Sequence, residues 1–278
     1  MIRAALEAAT RRLARTSSSA RLDAELLLAD LLAIGRAQLL ARDTDTLTAE
    51  QHAAFATRIA RRANGEPVAY LLGRRDFWTL TLAVGPGVLV PRPETELLVE
   101  AALEAMAGRT APRVLDLGTG SGAIGLAIAC ARPDAHVDLL DASPAALAIA
   151  EANRRTLGLG NARTLPGDWF AGLGSARYDA ILSNPPYLAD SDPHLASLEL
   201  AHEPPVALVA GPTGLEALAA IARRALGHLE PGGLVALEHG ATQGEAVRSL
   251  LAGAGFGAIR TRFDLAGLER ATQGTRPD

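Results

Sequence analysis

Val114-Leu115-Asp116-Leu117-Gly118-Thr119-Gly120-Ser121-Gly122 decides the fold. Its apolar start reads as a buried strand, and the stretch from Ala123 to Ala131 reads as a helix. Between them, Gly118, Gly120 and Gly122 allow a sharp turn and let a ligand approach the backbone without a Cβ in the way. The helix start adds unpaired amides. Roughly twenty residues on, the next strand ends at Asp141, an acidic residue placed to accept bonds from ribose hydroxyls. Loop and acid together point to a nucleoside-bearing cofactor without naming one. Gly118-x-Gly120-x-x-Ala123 also satisfies a loose dinucleotide pattern, which keeps NAD open. The purely structural alternative is a tight strand-to-helix turn with Asp141 as an N-cap.

Outward from this stretch, strands and helices alternate. Strands are predicted at His136 to Leu140, near Ala162 to Leu165, at Tyr178 to Ser183 and at Leu234 to Glu238. Helices are predicted at Pro144 to Leu157, Leu215 to Leu229 and Gly244 to Ala254, with strands closing the chain. Such alternation implies an α/β fold with a mostly parallel sheet covered on both faces. Ligands then bind at the carboxyl ends of the strands. Two further segments fall at such ends. In Gly167-Asp168-Trp169-Phe170, Trp169 could pack on an adenine and Asp168 could accept from its amino group. The alternative is a core Trp with an exposed neighbour. In Asn184-Pro185-Pro186-Tyr187, two prolines stop the strand and remove backbone donors. A rigid turn with an amide at its start and an aromatic at its end can present acceptors to a flat NH2 group and press a ring on it. The bland alternative is a strand-ending turn with a buried Tyr.

Residues 1–75 have another texture. Leu6, Leu13, Leu22, Leu26 and Leu27 recur near helical spacing, Thr16-Ser17-Ser18-Ser19 offers N-cap hydroxyls, and a later helix runs from Thr48 to Ala63 before Asn64-Gly65. This is a small helical bundle without a catalytic constellation, suited to supporting or recognising a partner. Residues 76–90 read as a hairpin linker: Phe77 to Val84, a turn at Gly85-Pro86-Gly87, then Val88 to Val90. Residues 91–278 form the catalytic segment, opening with a helix from Pro91-Arg92-Pro93-Glu94-Thr95-Glu96 to about Ala107.

The composition bounds the function classes. In 278 residues, 49% are hydrophobic and 21% charged, ordinary for a globular protein. The longest apolar runs fall short of the ~20 residues that span a bilayer. The formal net charge of -4 gives no support for a nucleic-acid-binding surface. Arg58, Arg61 and Arg62 are read as a solvated helix face. The single cysteine, Cys130, excludes an intramolecular disulfide, fits a reducing cytoplasm, and is expected in the core. The six histidines form no metal set. His194, His202 and His239 are expected in surface or hydrogen-bonded structural roles.

Taken in order, these pieces resemble the bacterial protein-(glutamine-N5) methyltransferases of release factors, the PrmC/HemK family. The similarity runs through Gly65-Glu66-Pro67-Val68-Ala69-Tyr70-Leu71-Leu72-Gly73, Phe77-Trp78, Pro91 to Glu96, Leu115 to Gly122, Gly167 to Phe170, Ser183 to Tyr187, Glu238-His239-Gly240 and Gln243-Gly244. The resemblance implies an S-adenosylmethionine-dependent, Rossmann-like seven-stranded fold with S-adenosyl-L-methionine as co-substrate and no metal. It implies a substrate glutamine in the Gly-Gly-Gln motif of class I peptide chain release factors. Gly118, Thr119, Gly120, Ser121, Gly122, Asp141, Asp168, Trp169 and Asn184 would bind the donor, and Asn184, Pro185, Pro186 and Tyr187 the glutamine amide. Asn184, Pro185 and Tyr187 would serve catalysis. The chain departs from the pattern near Thr213, where an acidic residue is common.

A nucleic-acid amino methyltransferase is the nearest rival, because adenine and guanine carry the same flat NH2. A nicotinamide oxidoreductase leaves the Asn-Pro-Pro-Tyr turn without a task. A non-catalytic donor-binding or scaffold protein is the third class. A cytoplasmic enzyme acting on release factors, with no membrane and no direct nucleic-acid partner, is the expectation.

Overall fold

Apolar residues at helical spacing build the first part of the chain. The computed structural model describes residues 1–278 and begins with α1 (Ile2–Leu13), α2 (Ala20–Leu31), α3 (Arg36–Ala41), α4 (Ala49–Ala63) and α5 (Val68–Leu72). Leu6, Leu13, Leu27, Leu28, Phe55 and Ile59 close one core between them. Thr48 starts α4 with a reciprocal cap: its Oγ1 accepts from Gln51 N at 3.1 Å, and Gln51 Oε1 accepts from Thr48 N at 2.9 Å. The short helices α3 and α5 are absent from the sequence reading, since six and five residues carry too little periodicity.

Of the α4 arginines, Arg61 is exposed as expected, Arg58 is half-buried, and Arg62 overturns the expectation of a solvated face. Arg62 is buried, donating from Nε to Asp23 Oδ2 at 2.7 Å and pairing with Glu199 through Nη2. Arg58 pairs with Asp30 at 2.7 Å and Arg61 with Glu66 at 2.5 Å. The acids that neutralise them are distant in sequence or beyond the helix, out of reach of a helical-face reading.

The chain divides into two compact units, Met1–Arg74 with Pro193–His202, and Arg75–Asp192 with Glu203–Asp278. Pro193–His202 thus packs with the helices, not with the segment around it in sequence.

The second unit opens with a hairpin of β1 (Arg74–Phe77) and β2 (Leu80–Ala83). Its turn falls at Trp78-Thr79, with Trp78 at φ 55°, earlier than the expected Gly85-Pro86-Gly87. Phe77, Leu80 and Leu82 join the main core, which fixes the register against the glycine signal. A 3-10 turn (Pro93–Thr95) leads into α6 (Glu96–Ala105). Then come β3 (Arg113–Leu117), α7 (Ala123–Ala131), β4 (His136–Asp141), α8 (Pro144–Thr156), β5 (Ala162–Pro166) and β6 (Tyr178–Ser183). A small pair, β7 (Leu188–Ala189) and β8 (Val209–Gly211), precedes α9 (Glu216–Ala225), β9 (Leu229–Glu238), α10 (Gly244–Gly253), β10 (Gly257–Phe263) and β11 (Glu269–Thr275).

The seven-stranded sheet has the order β10-β11-β9-β6-β3-β4-β5, with β11 alone running against the rest. Alternate residues feed two apolar layers. Val114, Leu139, Leu182 and Ala236 face α6 and α7. Leu115, Leu140, Ile181 and Leu237 face α9 and α10. Chain direction away from β3 reverses between β4 and β6, so a crevice opens at the carboxyl edge there. Cys130 is exposed at the end of α7, not in the core, because the buried stripe of that helix stops at Ala129.

Candidate active site

Strand register brings four loops to one edge. Leu117 lies beside both Leu140 and Ser183, and Asp141 beside Pro166. The residues that follow, from Gly118, Ala142, Gly167 and Asn184, therefore leave the sheet side by side. They line a cavity of about 290 Å³ whose wall includes Gly118, Thr119, Gly120, Ser121, Asp141, Asp168, Trp169, Asn184, Pro185 and Pro186. Gly122 and Tyr187 are not on that wall.

The glycine loop is held by backbone. Gly118 N and Thr119 N donate to Leu140 O at 2.8 and 3.0 Å. Gly118 and Gly120 have φ of 69° and 57°, and a Cβ on either would meet nothing within 4 Å. The loop thus offers bare backbone to the cavity. Gly122, at φ 88°, has a packing task instead, since its Cβ would stand 2.6 Å from Leu126. Asp141 is tied at both oxygens: Oδ2 accepts from Gly120 N at 2.9 Å and Oδ1 from Ser143 N at 2.8 Å. Each oxygen keeps a second acceptor direction. Trp169, at φ 51°, is half-buried against the α9 layer while lining the cavity, and Asp168 is exposed beside it.

The Asn184 turn is tied at both ends. Asn184 Nδ2 donates to Thr95 Oγ1 at 3.1 Å, and Thr95 Oγ1 donates to Glu238 Oε2 at 2.6 Å. Asn184 Oδ1 is buried with no partner. The Tyr187 hydroxyl donates to Glu238 Oε1 at 3.4 Å, a long contact, and its ring packs in the α9 layer. Gln243 Nε2 donates to Tyr187 O at 3.0 Å and to Gly214 O at 3.3 Å. Burial pushes the Glu238 carboxyl up to about 7, and raises the Tyr187 phenol above its usual range.

Several wall or support residues escape sequence reasoning. Val88, Leu89, Pro91, Ile124 and Val206 contribute apolar wall. Asn153, on α8, donates to Ser121 O at 2.8 Å and Ala83 O at 3.0 Å and accepts from Ala83 N at 2.7 Å, joining the glycine loop to β2. Glu203 accepts from Val90 N at 3.0 Å and pairs with Arg92. Thr95 and Glu238 carry the one legible signal: a carboxylate ending the apolar run Leu234 to Leu237 needs buried partners. Near Thr213, where the sequence departs from the expected pattern, Glu216 Oε1 accepts from Thr213 N at 2.9 Å and Thr213 Oγ1 at 2.8 Å.

Comparison with known proteins follows the same division. Residues 4–73 match the PrmC N-terminal domain and residues 93–208 the methyltransferase small domain. The release factor glutamine methyltransferase of Bordetella pertussis is 51% identical over 255 residues, 91% of this chain and 94% of that protein. Those of Xylella fastidiosa (Temecula1) and Escherichia coli K12 are 48% and 42% identical, over 95% and 94% of this chain and 96% and 94% of theirs. This chain belongs to the release factor glutamine methyltransferase family.

The family's fold extends to more distant solved structures. A methyltransferase from Pyrococcus furiosus superposes with a TM-score of 0.55 at 18% identity, over 80% of this chain and all of that one. The 16S rRNA N2 G1207 methyltransferase of T. thermophilus, in complex with AdoMet and guanosine, gives 0.54 at 24%, over 73% and 49%. In this release factor glutamine methyltransferase family member His239 and His202 are fixed locally. His239 is buried, with Nδ1 2.9 Å from Gly240 O and Nε2 2.8 Å from Thr272 Oγ1, so Nδ1 carries the proton. Burial lowers its pKa. His202 Nε2 meets Asn64 O at 3.0 Å. His194 is exposed.

Proposed function

We propose that the protein transfers a methyl group from S-adenosyl-L-methionine to the side-chain amide nitrogen of the glutamine in the Gly-Gly-Gln motif of class I peptide chain release factors, modulating translation termination in the cytoplasm. One observation carries this reading: Asn184, whose Oδ1 is buried without a partner, is a residue of the same wall as Gly118 and Gly120 with their bare backbone. A buried acceptor without a donor asks for one from a ligand. The wall residues include Asp141 and Asp168 but no Lys, Arg or His, which suits a cationic donor better than a dinucleotide pyrophosphate.

The loop from Gly118 to Gly122 would cradle the donor, Asp141 would accept from its ribose, and Asp168 and Trp169 would border its adenine. The donor supplies an electrophilic methyl group on a sulfonium sulfur. A carboxamide nitrogen is a poor nucleophile because its lone pair is delocalised into the carbonyl. Asn184 Oδ1 and the Pro185 carbonyl would accept its two N–H bonds and aim it at that methyl. As the N–C bond forms and the C–S bond breaks, positive charge grows on nitrogen, the two acceptors stabilise it, and one N–H proton leaves to water. Positioning of this kind is worth ~7–11 kcal/mol of a barrier. Pro186 would close the substrate side. Tyr187, off the wall, would stiffen the turn through Glu238 and Gln243. The driving force lies in the sulfonium, so the mechanism has no step for a metal. The helical unit would recognise the release factor.

The test is incubation with labelled donor and purified release factor, with a Gln→Ala control in its Gly-Gly-Gln motif. Mass spectrometry should find one methyl on that glutamine and none in the control. Label on RNA or DNA instead would overturn the reading in favour of the amino methyltransferase of nucleic acids. Asn184→Ala should slow single-turnover transfer by roughly 10²-fold or more while donor affinity changes far less. Near-normal transfer by that variant would remove Asn184 from the mechanism.

A further inference from the structure

Asn184 is an amide, so its two ends differ only in which is acceptor and which is donor. Against a substrate NH2 group, only the oxygen is useful. Nothing in the turn itself makes that choice: Pro185 and Pro186 have no N–H to offer. The choice is made one residue away. Thr95 is 3% exposed and has a single hydroxyl proton. That proton goes to Glu238 Oε2, at 2.6 Å. Its oxygen can then only accept, and the partner it accepts from is Asn184 Nδ2, at 3.1 Å. The nitrogen is thereby turned to Thr95, and Oδ1 is left without a partner.

We propose, resting on the function above, that Thr95 and Glu238 are positioning residues that hold the Asn184 amide with its oxygen toward the substrate glutamine. An ionised carboxylate can only accept, and this fixes the direction of the whole chain of bonds. A protonated Glu238 can donate to Thr95 instead. Thr95 is then free to donate to Asn184, the amide turns over, and its NH2 meets the substrate NH2 donor to donor. The same carboxyl meets the Tyr187 hydroxyl at 3.4 Å, so it touches both ends of the turn.

The groups facing Glu238 come from every neighbouring element. Thr95 and Glu94 lie on the 3-10 turn before α6, Tyr187 follows β6, and Arg270 is on β11. Burial is the largest influence on its proton; Glu94 also raises its pKa, while Thr95, Arg270 and Tyr187 lower it. The balance places the carboxyl at about 7, where proton uptake falls inside the working range of pH.

The experiment uses the full chain, saturating donor and full-length release factor, with single-turnover rate and donor Kd measured for each variant. Thr95→Val should lose roughly 10²-fold in rate, the cost of a misplaced reacting group, with donor Kd within about two-fold of wild type. Thr95→Ser, which keeps the hydroxyl, should restore most of the rate. The wild-type rate should fall as pH drops through about 7, and Glu238→Gln, which has no proton to gain there, should lose that acidic limb. A Thr95→Val rate near wild type, failure of Thr95→Ser to rescue, or an unchanged acidic limb in Glu238→Gln would each overturn the proposal. Circular dichroism separates these outcomes from misfolding, and Glu238→Gln keeps the test alive if Thr95→Val does not fold. If the wild-type protein methylates no release factor, the proposed function fails first and separately.

Discussion

Two carboxyl groups sit where burial works against their charge. Asp116 accepts from Thr119 Oγ1 at 2.6 Å and Gly125 N at 2.9 Å, yet its Oδ1 has no partner. Burial pushes its pKa up to about 6, and that of Glu238 up to about 7. A carboxyl whose pKa is raised by folding binds its proton more tightly in the native state. Its stabilising contribution is complete below the ordinary value near 4.5 and is lost as pH rises through about 7. Glu238→Gln removes the charge that has to be buried at high pH. Denaturant titration at pH 8 should therefore find Glu238→Gln more stable than wild type, by up to about 3 kcal/mol. By pH 4 the difference should nearly vanish. Equal stability at pH 8 would mean that the carboxylate is better solvated than its surroundings indicate. Holding that costly charge beside Thr95 is the pattern of a residue kept for position, not for stability.

At the scale of elements, a glycine decides where the Asn184 turn can sit. Gly214 has φ 77°, and a Cβ there would lie 2.6 Å from Tyr187 O and 3.0 Å from Ala189 N. Both are backbone atoms and cannot swing aside. Gly214→Ala should displace the turn and lower kcat by roughly 10²-fold, with donor Kd little changed. A kcat within two-fold of wild type would show the turn to be more yielding than this packing allows. The parallel strands and the glycine loop were legible because their signals are local: apolar runs, glycines and the distance to Asp141. The seven strands were legible only through the family resemblance, and the strand order and the Asn184 turn's place beside Gly118 are set by the register of the folded sheet. The hairpin was misplaced because core packing of Phe77, Leu80 and Leu82 outweighs the Gly85-Pro86-Gly87 signal, and Trp78 takes the left-handed turn position that favours glycine. Asn153 and Glu203 were invisible as support residues, since their partners lie 32 and 113 positions away.

At the scale of the whole molecule, the chain is not cut where its sequence texture changes. The hairpin belongs to the second unit, and Pro193–His202 returns to the first. Within that first unit, Gly65, at φ 95°, has a Cβ direction only 2.5 Å from Leu198 O, and buried Arg62 joins Asp23 to Glu199. Removing one partner of a buried ion pair leaves an uncompensated charge, and for Arg62→Leu the cost is roughly 3 kcal/mol, moderated by the Ser17 and Ser19 hydroxyls that still donate to Asp23 at 2.7 Å. The cavity wall contains no residue of this unit. Arg62→Leu therefore separates two roles for the helices. If they recognise the release factor, its binding should weaken by roughly ten-fold, about 1.4 kcal/mol, while donor Kd stays at the wild-type value. Calorimetry with each ligand on the same preparation makes the comparison. Equal weakening of both would mean that the helices serve the stability of the whole chain, and that release factor recognition belongs to the surface around Pro186 and Val206.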